Sequence, residues 1–233
     1  KVIMAVTNQD ADNVPVTAKT TPVVLTFKVT NNGNAVHDYA LAYQAAANGV
    51  ASPHGGGNDS FDGTTVAVYV ENGLEAGYQA SGGNQDTATS IDNLAADGGE
   101  KTVYIVYTPS DLAAANGSIA VYYLTAATQW ADGSAIGAQG SQTPTLVQAG
   151  GACDGAKTVD VVFGDGDGPS GAEGSRDAMH SDDSAYIVAS AAIGVTPAMG
   201  RRCSTGAEPP AQMLTRAGSL ARNSVRPSAT WFG

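Results

Sequence analysis

The densest run of metal-ligand chemistry in this sequence is acidic. Asp160 precedes Gly164-Asp165-Gly166-Asp167-Gly168, and Glu173, Asp177, Asp182 and Asp183 follow. Carboxylate oxygens on a pliant glycine backbone can wrap Ca²⁺, which takes about six to eight oxygen ligands. Asp165 and Asp167 lie two positions apart and can face one ion if the loop curls. Asp160, Asp165, Asp167 and Asp177 are therefore candidate calcium ligands. The run does not follow the EF-hand pattern, because Pro169 stands where a further ligand is needed. It is not a phosphate loop either, being strongly acidic with no Lys after it. The competing reading is a solvated acidic loop whose Asp-Gly pairs make turns.

Two smaller oxygen clusters, Asp10-Asp12-Asn13 and Asn58-Asp59-Asp62, read as turns or weaker ligand sets. Of the three histidines, His37 falls on the outward phase of a strand, and His54 and His180 fall in loops. None has metal-ligand spacing, and no nucleophile elbow frames a serine. Asn58-Asp59-Ser60 and Asn116-Gly117-Ser118 fit the N-glycosylation pattern. Cys153 and Cys203 are the two cysteines. They lack zinc-site spacing and can pair in an oxidising compartment.

The elements that must carry these groups announce themselves by a period of two. Val23, Leu25, Phe27 and Val29 alternate with Val24, Thr26, Lys28 and Thr30, which predicts a half-buried antiparallel strand. Asn31-Asn32-Gly33-Asn34 breaks it with residues that accept positive φ. A second run places Tyr39, Leu41 and Tyr43 on one face. The same grammar predicts strands over 2–6, 64–70, 101–107, 118–128, 157–163 and 184–196, with an apolar foothold at Ile91 and Leu94. Pro15 to Pro22 reads as a connector, 45–62 as a polar excursion, 110–117 as a short helical turn closed by Gly117, and 164–183 as an acidic loop. Eight to ten strands between turn signals predict a sandwich or barrel, not a βαβ fold. Tyr104, Tyr107, Tyr122 and Tyr123 must divide between faces, since adjacent strand residues point oppositely. Those on the surface can stack on sugar rings or on a partner.

Composition narrows the function classes. Charged residues are only 14%, below the usual quarter or so, and the net charge is -11. Residues 1–199 hold six basic and 21 acidic side chains, whereas 200–233 hold five Arg and one Glu. The acidic body argues against nucleic acid. No apolar run approaches the roughly 20 residues a membrane span needs. Lys1 opens directly on a strand-like segment, which suggests a processed chain or an excised piece. After Pro197 the period of two is lost, so the expected division is a β domain, 1–196, and a basic irregular tail, 197–233.

Several segments, in order, resemble a repeat domain of large secreted bacterial surface proteins. They are 25–34 (Leu25 to Asn34, with its T-N-x-G-N pattern), 66–73 (Val66 to Gly73), 101–107 (Lys101 to Tyr107), 159–166 (Val159 to Gly166), and Asp177 with Asp183-Ser184-Ala185-Tyr186. The resemblance implies an exported immunoglobulin-like β-sandwich with a structural or adhesive role and no enzyme activity. Glu71 departs from the Asp usual in that family, and the Arg-rich tail stands where a further repeat usually follows.

The reading as a whole is an all-β, immunoglobulin-like antiparallel β-sandwich with long Gly/Asp-rich loops and an irregular C-terminal tail. It is expected to be a non-catalytic extracellular or cell-surface structural protein, a subunit of a surface assembly or filament. Copies would self-associate by strand exchange, with Val2, Ile3, Met4 and Val6 as the donor strand. The alternatives are a carbohydrate-binding or adhesive module and a calcium-stabilised stalk repeat. No cofactor is expected other than calcium.

Overall fold

A computed structural model describes residues 2–17, 21–109, 113–136, 162–163 and 178–189. All of them belong to the unit Lys1–Ala192. The chain is all-β, with ten strands and no helix among the described residues. The strands are β1 (Val2–Asn8), β2 (Val14–Val16), β3 (Val23–Asn31), β4 (His37–Ala45) and β5 (Val66–Val70). After them come β6 (Ser90–Leu94), β7 (Gly99–Tyr107), β8 (Ile119–Gln129), β9 (Val162–Phe163) and β10 (Met179–Val188). They form two five-stranded sheets, ordered β5-β7-β3-β1-β9 and β2-β10-β8-β4-β6. The first is called here the β3 sheet and the second the β8 sheet. One apolar cluster draws on both, from Leu25, Phe27, Val29 and Ile105 to Tyr39, Tyr122, Leu124 and Tyr186. This is a sandwich arrangement.

The alternation read from the sequence is the alternation observed. Leu25, Phe27 and Val29 are fully buried, while Lys28 reaches Glu100 on β7 at 3.0 Å on the outer face. On β8 the even residues Ala120, Tyr122, Leu124 and Ala126 enter the main core. The odd residues Ile119 and Val121 form a second cluster on the outer face, with Ala46 and Ala185. Val50 packs there too. The polar excursion after β4 thus folds back to cover an apolar patch, anchored where Asp59 exchanges backbone bonds with Gly49 and Val50.

Several expectations are corrected. Val14–Val16 is a strand, pairing parallel with Tyr186–Val188. Pro15 is tolerated because β2 is an edge strand that needs no ladder donor on its free side. The pairing is therefore not purely antiparallel, and β1 also meets β9 in parallel. The chain changes sheets between β1 and β2. β10 begins at Met179, inside the expected acidic loop, because Met179 to Ile187 pair continuously with β8. Tyr104, on the outer face of β7, is 4% exposed. The tail 197–233, residues 110–112 of the expected helical turn, and all of 157–163 except 162–163 lie outside the described residues.

Tyr186 joins the two sheets through the core. It stands on β10, is fully buried, and its hydroxyl donates to Ile105 C=O on β7 at 2.6 Å, with Val23 C=O on β3 at 3.2 Å. Burial holds its phenol well above the ordinary pKa. Tyr39 is also fully buried, but its hydroxyl has no partner among the described residues. The two phenols therefore respond oppositely to loss of oxygen. Tyr186→Phe is expected to cost about 1–3 kcal/mol, because it removes the acceptor's partner in a dry core. Tyr39→Phe is expected to be neutral or to stabilise by up to about 1 kcal/mol. Urea denaturation midpoints of both variants check this, and equal losses would contradict it.

Candidate functional site

The four candidate calcium ligands, Asp160, Asp165, Asp167 and Asp177, lie outside the described residues, as do Glu173, Cys153 and Cys203. Among the described residues no group of three or more His, Cys, Asp or Glu side chains could hold a metal ion. Asp182 is on β10, where its Oδ2 accepts the Asn8 N–H at 2.6 Å. Asp59 is 3% exposed; its Oδ1 accepts the Val121 N–H at 2.7 Å and its Oδ2 has no partner among the described residues. Burial, opposed by the Val121 bond and helped by Asp62, raises its pKa.

The fold does bring serine, histidine and aspartate together. Ser184 Oγ donates to Asp10 Oδ2 at 2.8 Å and lies 3.4 Å from His54 Nε2, which is 3.2 Å from Asn8 Nδ2. The order of the bonds differs from a catalytic relay, in which the imidazole receives the serine proton and the carboxylate orients the imidazole. Here the carboxylate takes the serine proton, and Ser184 is fully buried. The same Asp10 oxygen also accepts the Thr26 N–H at 3.1 Å. Ser52 donates to Asn13 Oδ1 at 2.6 Å, and Asn13 Nδ2 donates to Gly55 C=O at 2.9 Å. What the network does is tie the turn after β1 and the loop around His54 onto β10. Sequence reading missed it because Asp10 and Ser184 are 174 positions apart.

Two histidines differ from expectation. His37 is 2% exposed, packed against Trp130 at a ring separation of 5.9 Å, and burial lowers its pKa. His180 is on β10, and its Nδ1 accepts the Val6 N–H at 3.2 Å.

That last contact defines a flank where the sandwich is shut. β1 pairs with β3 from Met4 to Asn8. Among the described residues its other side meets β9 at Val2 and Ile3. Beyond them, the Val6 and Asn8 N–H groups are taken by His180 and Asp182, side chains of the opposite sheet. Val2, Met4 and Val6 are 1%, 4% and 1% exposed. The expectation of a donor strand at Val2, Ile3, Met4 and Val6 supposed a loose end. The structure seats that strand in its own sheet, and withdrawing each apolar side chain would cost about 1.5–3 kcal/mol.

Among the described residues the opposite flank is open: β6 accompanies β4 only as far as Ala40, and Leu41 to Ala45 have β8 on one side and no strand on the other. Ala46 donates its N–H to Val121 C=O on β8 at 2.9 Å. The alternation of an antiparallel ladder then turns the N–H and C=O of Tyr43 and Ala45 away from β8, to the free side. Across from them, β5 is the edge of the other sheet. Between the two edges runs an open groove of about 380 Å³ lined by Leu41, Ala42, Tyr43, Ala67, Val68, Tyr69 and Thr89. Tyr43 shares the inward face of β4 with buried Tyr39, and its ring lies 6.2 Å from the core ring of Tyr122, yet it is 42% exposed. An inward-facing aromatic left half in water marks a place where the described residues leave the core without cover.

The outer tyrosines form a closed group. Tyr69 stacks on Tyr78 at 5.3 Å, and Tyr78 meets Tyr104 edge-on at 5.9 Å. Tyr104 donates to Glu71 Oε2 at 2.6 Å, and burial followed by that carboxylate pushes its pKa up. Fully buried Asp86 holds the covering loop by accepting the Asn72 and Gln79 N–H groups, each at 2.9 Å.

No family model matches this chain, and no curated protein matches it. Among solved structures it is similar to the crystal structure of a FixG-related protein from Vibrio parahaemolyticus, at 13% identity and a TM-score of 0.28. That similarity covers 54% of this chain and 81% of the other. A likeness at that score carries no argument. No helix among the described residues is long and apolar enough to cross a membrane.

Asp59 supplies a pH test. Its folded pKa is raised above the ordinary 3.8, so the stability of its neutral form is complete below 3.8 and is lost as the pH rises through the raised value. Asp59→Asn keeps an acceptor for Val121 and carries no charge. The variant's stability relative to the parent is expected to grow as the pH rises from 3.8 toward neutrality. Denaturation midpoints measured across that range check it, and a constant difference would contradict it. Separately, Ser184→Ala is expected to lower stability by about 1–3 kcal/mol, since Asp10 loses a buried donor. A thermal melt measures it, and an unchanged midpoint would mean the network restrains nothing.

Proposed function

We propose that this chain is a non-catalytic structural protein that works outside the cell, as a subunit of a surface assembly or filament joined through a sheet edge. The observation that supports the reading is the open flank: a half-strand with no neighbouring strand among the described residues, beside an uncharged groove, with Tyr43 exposed on the core-facing side. Exposed edges of this kind recruit strands from other chains. The low charge content and the resemblance to secreted surface repeats support the extracellular setting and the immunoglobulin-like class. Donation from the seated β1 has no support in its burial, so recruitment at β4 takes its place in the reading.

The carbohydrate-binding alternative would use Tyr69 and Tyr78, whose rings are half-buried against each other and form no flat row with Tyr104. A glycan array with reproducible hits lost on Tyr69→Ala would favour it over assembly.

Sedimentation velocity over a concentration series, with electron microscopy of the most concentrated sample, tests the reading. Growth into oligomers or fibres is expected, reduced in Tyr43→Lys, which sets a charge in the groove wall. Dispersed monomers at every concentration would overturn it.

A further inference from the structure

We propose that the Leu41–Ala45 edge of β4 seats a single extended strand from a partner chain, one with alternating apolar side chains and basic residues at its ends. This rests on the assembly reading above and names the partner's chemistry.

The backbone fixes the form of the partner. The free edge is five residues long, which is roughly 16 Å of strand. An incoming strand continues the track that β6 leaves at Ser90, whose register partner is Ala40. The outward N–H and C=O groups of Tyr43 and Ala45 supply its ladder. β5 is the poorer host, although it is also an edge. Its Glu71 N–H bonds Thr102 C=O on β7, so Val66, Val68 and Val70 face away from β7. The Val70 N–H is already taken by Ala88 C=O at 2.8 Å.

The groove fixes the pattern. Every residue lining it is uncharged. A strand added to β4 points alternate side chains inward, where they cover the exposed ring of Tyr43 and face Val68 on the other sheet. Those positions must be apolar, since they complete the core that Tyr122 and Tyr186 begin. The intervening side chains lie on the outer face beside exposed Ala42 and Gln44, and can be polar.

Charge fixes the ends. Asp62 precedes β5 and Glu71 follows it, so acids stand before and after the strand that forms the far wall. The surrounding body is acidic, with six basic against 21 acidic side chains in residues 1–199. Basic residues flanking an uncharged strand match that distribution.

Backbone amide exchange by NMR on the full chain tests this. The probes are a short synthetic peptide of alternating valine and threonine flanked by lysines, its glutamate-flanked counterpart, and a lysine-flanked version broken by proline. The lysine-flanked peptide is expected to slow exchange at Tyr43 and Ala45 by about tenfold or more. The glutamate-flanked peptide should do so several-fold less, and the proline-broken one not at all. In Tyr43→Lys the protection at Ala45 should be lost. If that variant fails to fold, the peptide comparison on the native chain still decides.

Protection confined to Val66 and Val68, or equal protection by both flanking types, overturns the proposal. An assembling chain whose β4 edge no peptide protects sinks this proposal and leaves the assembly reading standing. Peptide protection on a chain that stays monomeric upholds the edge and sinks self-assembly.

Discussion

Every strand at the end of a sheet carries backbone N–H and C=O groups with no neighbour, and each must be satisfied by something else or left to water. The two flanks of this sandwich meet that constraint differently. Beside β1, side chains from the opposite sheet do the work: His180 and Asp182 reach across to the Val6 and Asn8 N–H groups. Beside β4 nothing among the described residues does so beyond Ala40. The shut flank makes the N-terminal strand part of the core. The open flank leaves the inward-facing Tyr43 in water.

The core connects the two. Tyr107, Tyr186, Tyr122 and Tyr43 lie in ring contact in turn, at 5.7, 5.8 and 6.2 Å. Three of the four are buried, and two of those have partnered hydroxyls: Tyr186 on Ile105, and Tyr122, which accepts the Gly63 N–H at 2.6 Å. Rings in a dry interior with satisfied hydroxyls are stiff as well as apolar. The series ends at the groove, so whatever covers Tyr43 would pack against a braced surface.

The polar residues that look reactive in the sequence act mainly as restraints where they are described. Asp10, Ser184 and His54 hold two loops on β10, Asp86 folds the loop over Tyr104, and Asp59 pins the excursion after β4 to β8. The three aspartates accept backbone or hydroxyl protons where a loop crosses an apolar face. Loops rich in Asp, Asn and Ser can lie on a sheet only if their own backbone groups find such partners.

By itself the sequence determined where the strands run and which face of most of them is buried. The rhythm Val23, Leu25, Phe27, Val29 is a local property, since successive side chains of any extended chain point to opposite sides. It marked the turns as well, through Asn-Gly pairs. It misjudged His37 and the start of β10, where a residue's burial or pairing depends on a distant strand and not on its neighbours in sequence. Sheet order, the change of sheets after β1, the Ser184–Asp10–His54 contacts and the premature end of β6 along β4 belong to the tertiary structure alone. Each is a relation between segments far apart in the chain, and a period of two is silent on which strand lies beside which.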